Sequence, residues 1–312
     1  MALCPKVPQP FLPPSSSLSL WKPFLSPCSS IIYALTFAVG LPANVFTFLT
    51  LLIRIRCYRP HPHLTAADLL LLHLTTADLL LLLFLPFKMA EAAAKMLWPF
   101  STALCPIANF CFYSSIYLST LFMAALSVER YLGLWRTMAA SAVLSVMALS
   151  HCSIVFVNAS ETQRHRGYRC YDDFSQAQLR FVLPLRLELF LVLFLIPFAI
   201  TMFCYIRLIR ALLTRPHIPP QKKYRTVGLA VVTMVNFGIC FGPYNISHVV
   251  GFVQQRSPEW RPYALLLTTL SAALDPFIFY FSSSTVRRAV SGMVGAIRDT
   301  VCGFWGWCWQ RQ

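Results

Sequence analysis

The sequence predicts an all-α membrane protein: a seven-transmembrane helix bundle with a short amphipathic eighth helix. Three observations predict it. The 312 residues are 57% hydrophobic and only 12% charged, about half the roughly 25% charge of soluble domains. Seven apolar stretches are each long enough, at about 20 residues, to cross a bilayer. The charges gather in the short segments between those stretches, as membrane proteins arrange them. A soluble chain of this size could not cover so much apolar surface, whereas lipid is a solvent for it. The net charge of +15 raises the question of nucleic acid. Its confinement to short connections excludes that partner.

The predicted spans are 29–53, 64–87, 103–129, 138–157, 181–206, 227–253 and 263–281, followed by an amphipathic stretch at 283–299. The first carries GLPAN (40–44). The second contains two near copies, HLTAADLLLL (63–72) and HLTTADLLLL (73–82). Ten residues is too short for a solenoid period, so both copies belong to one helix. They place Asp68 near an interface and Asp78 deeper, eight residues before Pro86. The third span ends in Glu129-Arg130-Tyr131, and Cys105 lies 25 residues before Arg130. At ~1.5 Å per residue that is about 37 Å, a full bilayer with its interface. The fifth span carries Arg186, Glu188, Pro197 and Tyr205, the sixth CFGPY (240–244) and the seventh LDPFIFY (274–280).

An odd number of spans puts the termini on opposite sides. The segment 207–225 holds six basic residues and no acid, which marks it as cytoplasmic and the N-terminus as extracellular. The expected organisation is an extracellular segment 1–28, a seven-transmembrane domain 29–281, and a cytoplasmic amphipathic helix and tail 282–312. The start, MALCPKVPQPFLPPSSSLSLWKP, lacks the continuous apolar run of a cleavable signal. The first span is therefore expected to act as its own targeting signal. The eleven cysteines include no CxxC pair and no Cys/His ligand spacing, and an odd count forbids complete internal pairing.

An arginine within a span costs about 2.5–3.5 kcal/mol on insertion scales and marks a functional site by default. Arg186 is such a residue, some five residues or roughly 8 Å inside its span. Arg261 stands at the start of span seven, and His248 five residues after Pro243. All three belong at one depth. Guanidinium forks match a carboxylate bidentately in a dry site. The alternative for Arg186 is a snorkelling side chain or a structural pair with Glu188 or Asp172. Glu188, about 200° around a helix from Arg186, cannot share its face. His248 could equally be a satisfied structural histidine, and Tyr113, Tyr244 and His151 ordinary core.

The ordered set ER(Y), C-F-x-P and D-P-x-x-F/Y on seven spans resembles the class A (rhodopsin-like) G-protein-coupled receptors. The stretches FYSSIYLST (112–120), LPLRLELFLVLF (183–194), AVVTMVNFGICFGPYNISHVVG (230–251) and LDPFIFYFSSS (274–284) are similar to the short-chain free fatty acid receptors. The resemblance implies a plasma-membrane receptor, not an enzyme, with no cofactor. It would sense acetate-, propionate- or butyrate-class carboxylates and signal through heterotrimeric G proteins of the Gi/o or Gq class, with arrestin and the lipid bilayer as further partners. It implies that Arg186 and Arg261 hold the ligand carboxylate, that His248 assists, and that Tyr113, Tyr244, His151 and Tyr171 line the pocket. It also implies a Cys105–Cys170 disulfide and a polar switch core of Asp78 and Asp275, completed by Asn44 and Asn236, with sodium at Asp78. Glu129, Arg130, Tyr205 and Pro243 take the coupling roles.

Asn158 begins a sequon at the end of span four and is a glycosylation candidate; Asn245 begins another inside span six, where it should stay unmodified. Cys302 and Cys308 follow a basic amphipathic stretch and are palmitoylation candidates. A ligand of four or five heavy atoms gains at most about 1.5 kcal/mol per atom, so affinities no better than about ten micromolar follow.

Other membrane classes fit less well. A retinal protein needs a lysine in span seven, and 263–281 has none. A transporter would show repeated halves and broken mid-membrane helices. No metal spacing, nucleophile elbow or phosphate loop supports an enzyme. One segment departs from the receptor pattern: YLGLWRTMAASAVLSVMALSHC (131–152) leaves only Trp135–Thr137 between spans three and four, and span four has no tryptophan. The second reading is therefore a receptor-like binding protein whose shortened loop impairs G-protein coupling.

Overall fold

A computed structural model describes residues 16–57, 65–94, 97–132, 137–153, 170, 174, 176–215 and 217–309. Among these residues the structure is helical throughout its regular elements. In chain order they are α1 (Ser16–Cys57), α2 (Ala66–Ala93), α3 (Leu104–Leu132) and α4 (Thr137–Cys152). Next, α5 runs as Gln176–Leu189, a π-helical turn Phe190–Leu195, and Ile196–Leu213. The sixth helix, α6, runs as Pro220–Val235, a second π turn Asn236–Phe241, and Gly242–Gln254. The last two are α7, Arg261–Thr269 continuing as Ser271–Ser282, and α8 (Ser284–Trp309). Six helices are long and apolar enough to cross a membrane, and α4 is a shorter apolar helix among the described residues. Asn158 and Tyr171 lie outside the described residues, as do the side chains of Cys302 and Cys308.

The third helix is the central pillar: 78% of its apolar window is buried, against 28% for that of α1. It packs on α2, α4 and α5, while α7 packs between α1 and α6. Phe112, Tyr117, Phe237, Phe241 and Phe279 are the largest fully buried side chains at the centre. Most helices outrun the predicted spans; α4 does not, ending at Cys152 where the predicted span reached 157. The fifth continues to Leu213 and the sixth begins at Pro220, because helical backbone bonds are internal and do not end where charged side chains begin.

Prolines shape the bundle. A proline inside a helix lacks an N–H and crowds the carbonyl four residues earlier. Each π turn ends two residues before a proline, Pro197 in α5 and Pro243 in α6; the wider turn accommodates the ring. The carbonyl stranded by Pro197 belongs to Leu193, and Thr120 Oγ1 of α3 donates to it at 2.9 Å. The carbonyl stranded by Pro276 belongs to Ala272, and Asn44 Nδ2 of α1 donates to it at 2.7 Å. In lipid such groups have no water to turn to, so these two polar side chains are structural necessities. Gly40 makes the second contact possible: a Cβ there would stand 3.2 Å from Ala272 O.

Candidate functional site

The bundle has two polar poles. At one, Cys105 at the start of α3 is joined to Cys170 by a disulfide. Trp98, Phe84 and Phe87 pack around it. At this disulfide pole the two span arginines are almost wholly buried, Arg186 at 3% exposure and Arg261 at 4%. Arg186 Nη1 donates to Ser257 Oγ at 2.7 Å, and its guanidinium lies 5.1 Å from the centre of the Phe174 ring. Arg261, the first residue of α7, donates from Nη2 to Tyr244 Oη at 3.0 Å and lies 5.3 Å from that ring's centre.

An aromatic platform joins the two arginines. Tyr113 of α3 stacks on Tyr244 with centroids 6.1 Å apart and planes 11° from parallel. The Tyr244 ring meets His248 edge-on at 4.7 Å. His248 Nε2 and Tyr117 Oη are hydrogen-bonded at 3.1 Å. Among the described residues His248 Nδ1 has no hydrogen-bond partner. Both guanidinium groups are close enough to Tyr244 and His248 to act on them electrostatically. The structure thus brings together Arg186, Arg261, His248, Tyr244 and Tyr113, five of the residues singled out from sequence.

His151 sits differently. Its Nε2 is 3.2 Å from Glu188 Oε1, a carboxylate whose side chain is 51% exposed. Glu188 therefore faces α4, as its angular offset from Arg186 requires. Three partners were missed from the sequence. Ser257 and Phe174 lie outside the helices, where no periodicity reports a contact. Tyr117 could have been found, because it follows Tyr113 by one helical turn and so shares its face.

Beside the aromatic platform a buried charge pair closes α2. Lys88 Nζ and Glu91 Oε2 are 2.8 Å apart, with Lys88 5.8 Å from the centre of the Phe112 ring. The predicted second span stops at residue 87; α2 runs on to Ala93 and buries both.

Midway along the bundle, the carboxyl groups of Asp78 and Asp275 contact each other. Ser119 Oγ is 3.5 Å from Asp78 Oδ1, and Asn236 Nδ2 donates to Asp275. Among the described residues no group of three or more His, Cys, Asp or Glu is placed to hold a metal.

At the opposite, basic pole, Glu129 Oε2 is 3.5 Å from Arg130 Nε. Arg130 Nη2 reaches α7, donating to Ser282 O and Ser282 Oγ at 2.7 Å each. Tyr205 Oη is 3.4 Å from Thr233 Oγ1. Asp68 is tied to Arg54 at 2.8 Å and accepts from Ser283 Oγ at 2.7 Å, which fastens α1 and α2 to the end of α7.

Known proteins agree with this architecture. Residues 49–279 match the family of 7 transmembrane receptors (rhodopsin family). The chain is 47% identical to free fatty acid receptor 2 of Rattus norvegicus over 281 residues, covering 82% of each. It is 46% identical to free fatty acid receptor 2 of Homo sapiens over 285 residues, 86% of this chain and 85% of the relative. It is 42% identical to human free fatty acid receptor 3 over 299 residues, 90% of this chain and 82% of the relative.

Proposed function

The chain belongs to the rhodopsin family of seven-transmembrane receptors, and from that premise we propose that it senses short-chain carboxylates of the acetate, propionate and butyrate class. Its relatives are signalling receptors rather than enzymes, and it is a multi-pass membrane protein. The observation that carries the ligand reading is the convergence of Arg186 and Arg261 on Tyr244 and His248. Two guanidinium forks, a phenol and an imidazole in one buried cluster suit a small anion with two oxygens. The names of the relatives, free fatty acid receptors, support the same chemistry.

In this reading the disulfide pole is extracellular, with the N-terminus, and the basic pole is cytoplasmic. Tyr113 and Tyr244 wall the carboxylate pocket, and His151 and Tyr171 stand at its margin. The ligand favours the active state, and α6 carries the change past Pro243 to the cytoplasmic pole. There Glu129, Arg130 and Tyr205 meet a heterotrimeric G protein of the Gi/o or Gq class, and arrestin is the competing partner. The oxygen-rich pair Asp78 and Asp275, with Ser119, is a donor set suited to sodium, a hard cation. A second reading, a binder that does not signal, is favoured by one observation: only four residues separate Leu132, the end of α3, from Thr137, the start of α4.

The test is G-protein activation in cells given graded two- to six-carbon carboxylates. The parent chain is compared with Arg186→Ala at matched surface expression. A response lost in Arg186→Ala supports the anchor, and an equal response in both overturns it. If the surface-expressed parent is silent, lengthening the 133–136 segment separates the two readings. Restored signalling assigns the silence to the loop; continued silence counts against the carboxylate.

A further inference from the structure

The seam between the base of α6 and the corner of α7 and α8 gathers cations. Gly228 of α6 lies on Phe281: a Cβ there would stand 2.8 Å from the ring, so the two helices meet closely at this level. Arg225, three residues earlier, shares the face of Gly228, and Lys222 lies one turn before that. From the other side Arg287 of α8 donates from Nη1 to the last carbonyls of α7, Tyr280 O and Phe281 O, at 3.0 Å each. Partial burial, and then the nearby charges of Arg225 and Arg130, push the Arg287 guanidinium below its usual range. Like charges are thus crowded across the seam.

The acids of this pole are engaged elsewhere. Among the described residues Asp68 pairs with Arg54 and Glu129 with Arg130, and no ion pair reaches Lys222, Arg225, Arg287 or Arg288. Neither 207–225 nor 276–298 contains a carboxylate. Crowding of one sign is destabilising until an anion joins it.

The surroundings narrow the anion. Val227 and Val231 of α6 and Met293, Val294 and Ile297 of α8 are exposed. A helix with basic and apolar faces lies in the membrane interface, which sets Arg287 and Arg288 at the level of lipid phosphates, with lipid-facing side chains beside them. An anion that fits both surfaces carries its own acyl chains. A lipid with one negative charge would leave most of the cations uncompensated, whereas a headgroup with several phosphates would not. Clustered Lys and Arg beside a membrane helix suit such headgroups, and guanidinium forks match phosphate oxygens.

We infer that this seam binds a phosphoinositide, its phosphates held by Lys222 and Arg225 from α6 and by Arg287 and Arg288 from α8. The site lies at the pole opposite the Arg186–Arg261 cluster and does not depend on what that cluster binds. Its occupant joins α6 to α8.

The full-length chain in detergent is titrated with phosphatidylinositol 4,5-bisphosphate, and bound lipids are counted by native mass spectrometry. One molecule should bind saturably, ahead of any others. Phosphatidylserine should bind at least about tenfold more weakly, and free inositol 1,4,5-trisphosphate, which lacks acyl chains, should compete poorly. The double variant Lys222→Gln/Arg225→Gln removes two exposed cations. It should lower affinity about twentyfold, at roughly fivefold for each basic residue at a membrane surface. Arg207→Gln/Arg210→Gln removes the same charge from α5 and should change affinity by about twofold or less. The lipid should raise the melting temperature of the parent and of the α5 variant, but not that of the α6 variant. Melting without lipid shows that each variant is folded; Arg288→Gln replaces the α6 pair if that pair is not. Equal loss in the α5 and α6 variants identifies attraction to net charge alone and overturns the site. Phosphatidylserine bound as tightly overturns the multivalent headgroup, and equal competition by the free headgroup overturns the lipid.

Discussion

Thr120 donates its hydroxyl to the carbonyl of Leu193 at 2.9 Å, and Leu193 is the residue whose carbonyl Pro197 strands. The central helix thereby mends the break that proline makes in its neighbour. Thr120→Val keeps the shape and removes the donor, leaving a buried carbonyl unpaired, at a cost of about 1–3 kcal/mol. Thermal unfolding in detergent should fall by several degrees. Adding Pro197→Ala restores an amide within reach of Leu193 O, and the double variant should melt higher than Thr120→Val alone. A double variant that melts lower would show that the proline, not the stranded carbonyl, dominates.

The bond from Arg261 to Tyr244 at 3.0 Å supports a second prediction. Tyr244→Phe retains the ring that lies beneath the guanidinium and stacks on Tyr113, but loses the hydroxyl. Carboxylate potency should drop about tenfold, the scale of a hydrogen bond to a charged group. Arg261→Lys should lose more, because an ammonium has neither the planar fork nor the stacking face. Competition binding with a radiolabelled carboxylate measures both. Equal affinity in parent and Tyr244→Phe would remove Tyr244 from the anchor.

The contact between His151 and Glu188, at 3.2 Å, makes these two residues one unit at the flank of α4 and α5. Single substitutions His151→Ala and Glu188→Gln should be non-additive with the double variant. Half of the Glu188 side chain is exposed, so solvent screening limits the coupling to less than about 1 kcal/mol. A double-mutant cycle on melting temperature checks it, and strict additivity would show that the pair contributes nothing.

Much of this architecture was legible before any coordinates. Lipid leaves no water for backbone groups, so seven apolar runs had to be helices. The burial of Arg186 follows from where it falls in its run; that of Arg261, two residues before the predicted span, does not. The π turns were not legible as such. A shifted hydrogen-bond register leaves the apolar pattern intact, and only Pro197 and Pro243 hint at it. The same holds for the partners of the arginines. Ser257 and Phe174 are ordinary residues in connections, and only the folded chain brings them to Arg186. Lys88 and Glu91 fall beyond the predicted end of span two at residue 87; paired with each other at 2.8 Å, they continue inside the helix.

Arg130 makes the last prediction. The segment 207–225 has six basic residues and no acid, so it offers Arg130 no carboxylate. The arginine instead holds α3 to the end of α7 through Ser282, by a main-chain and a hydroxyl bond at 2.7 Å each. If that tie keeps Arg130 from a cytoplasmic partner, weakening it raises ligand-free activity. Ser282→Ala removes one of the two bonds and should increase basal nucleotide exchange on a G protein by about two- to fivefold. Carboxylate potency should rise in parallel, because the ligand then has a smaller gap to close. Ser282→Asp places a charge opposite Arg130 and should move both quantities the other way. The opposite signs are the discriminating feature: a general loosening of the basic pole would raise activity in both variants, and that result would exclude a holding role for the Arg130–Ser282 contact.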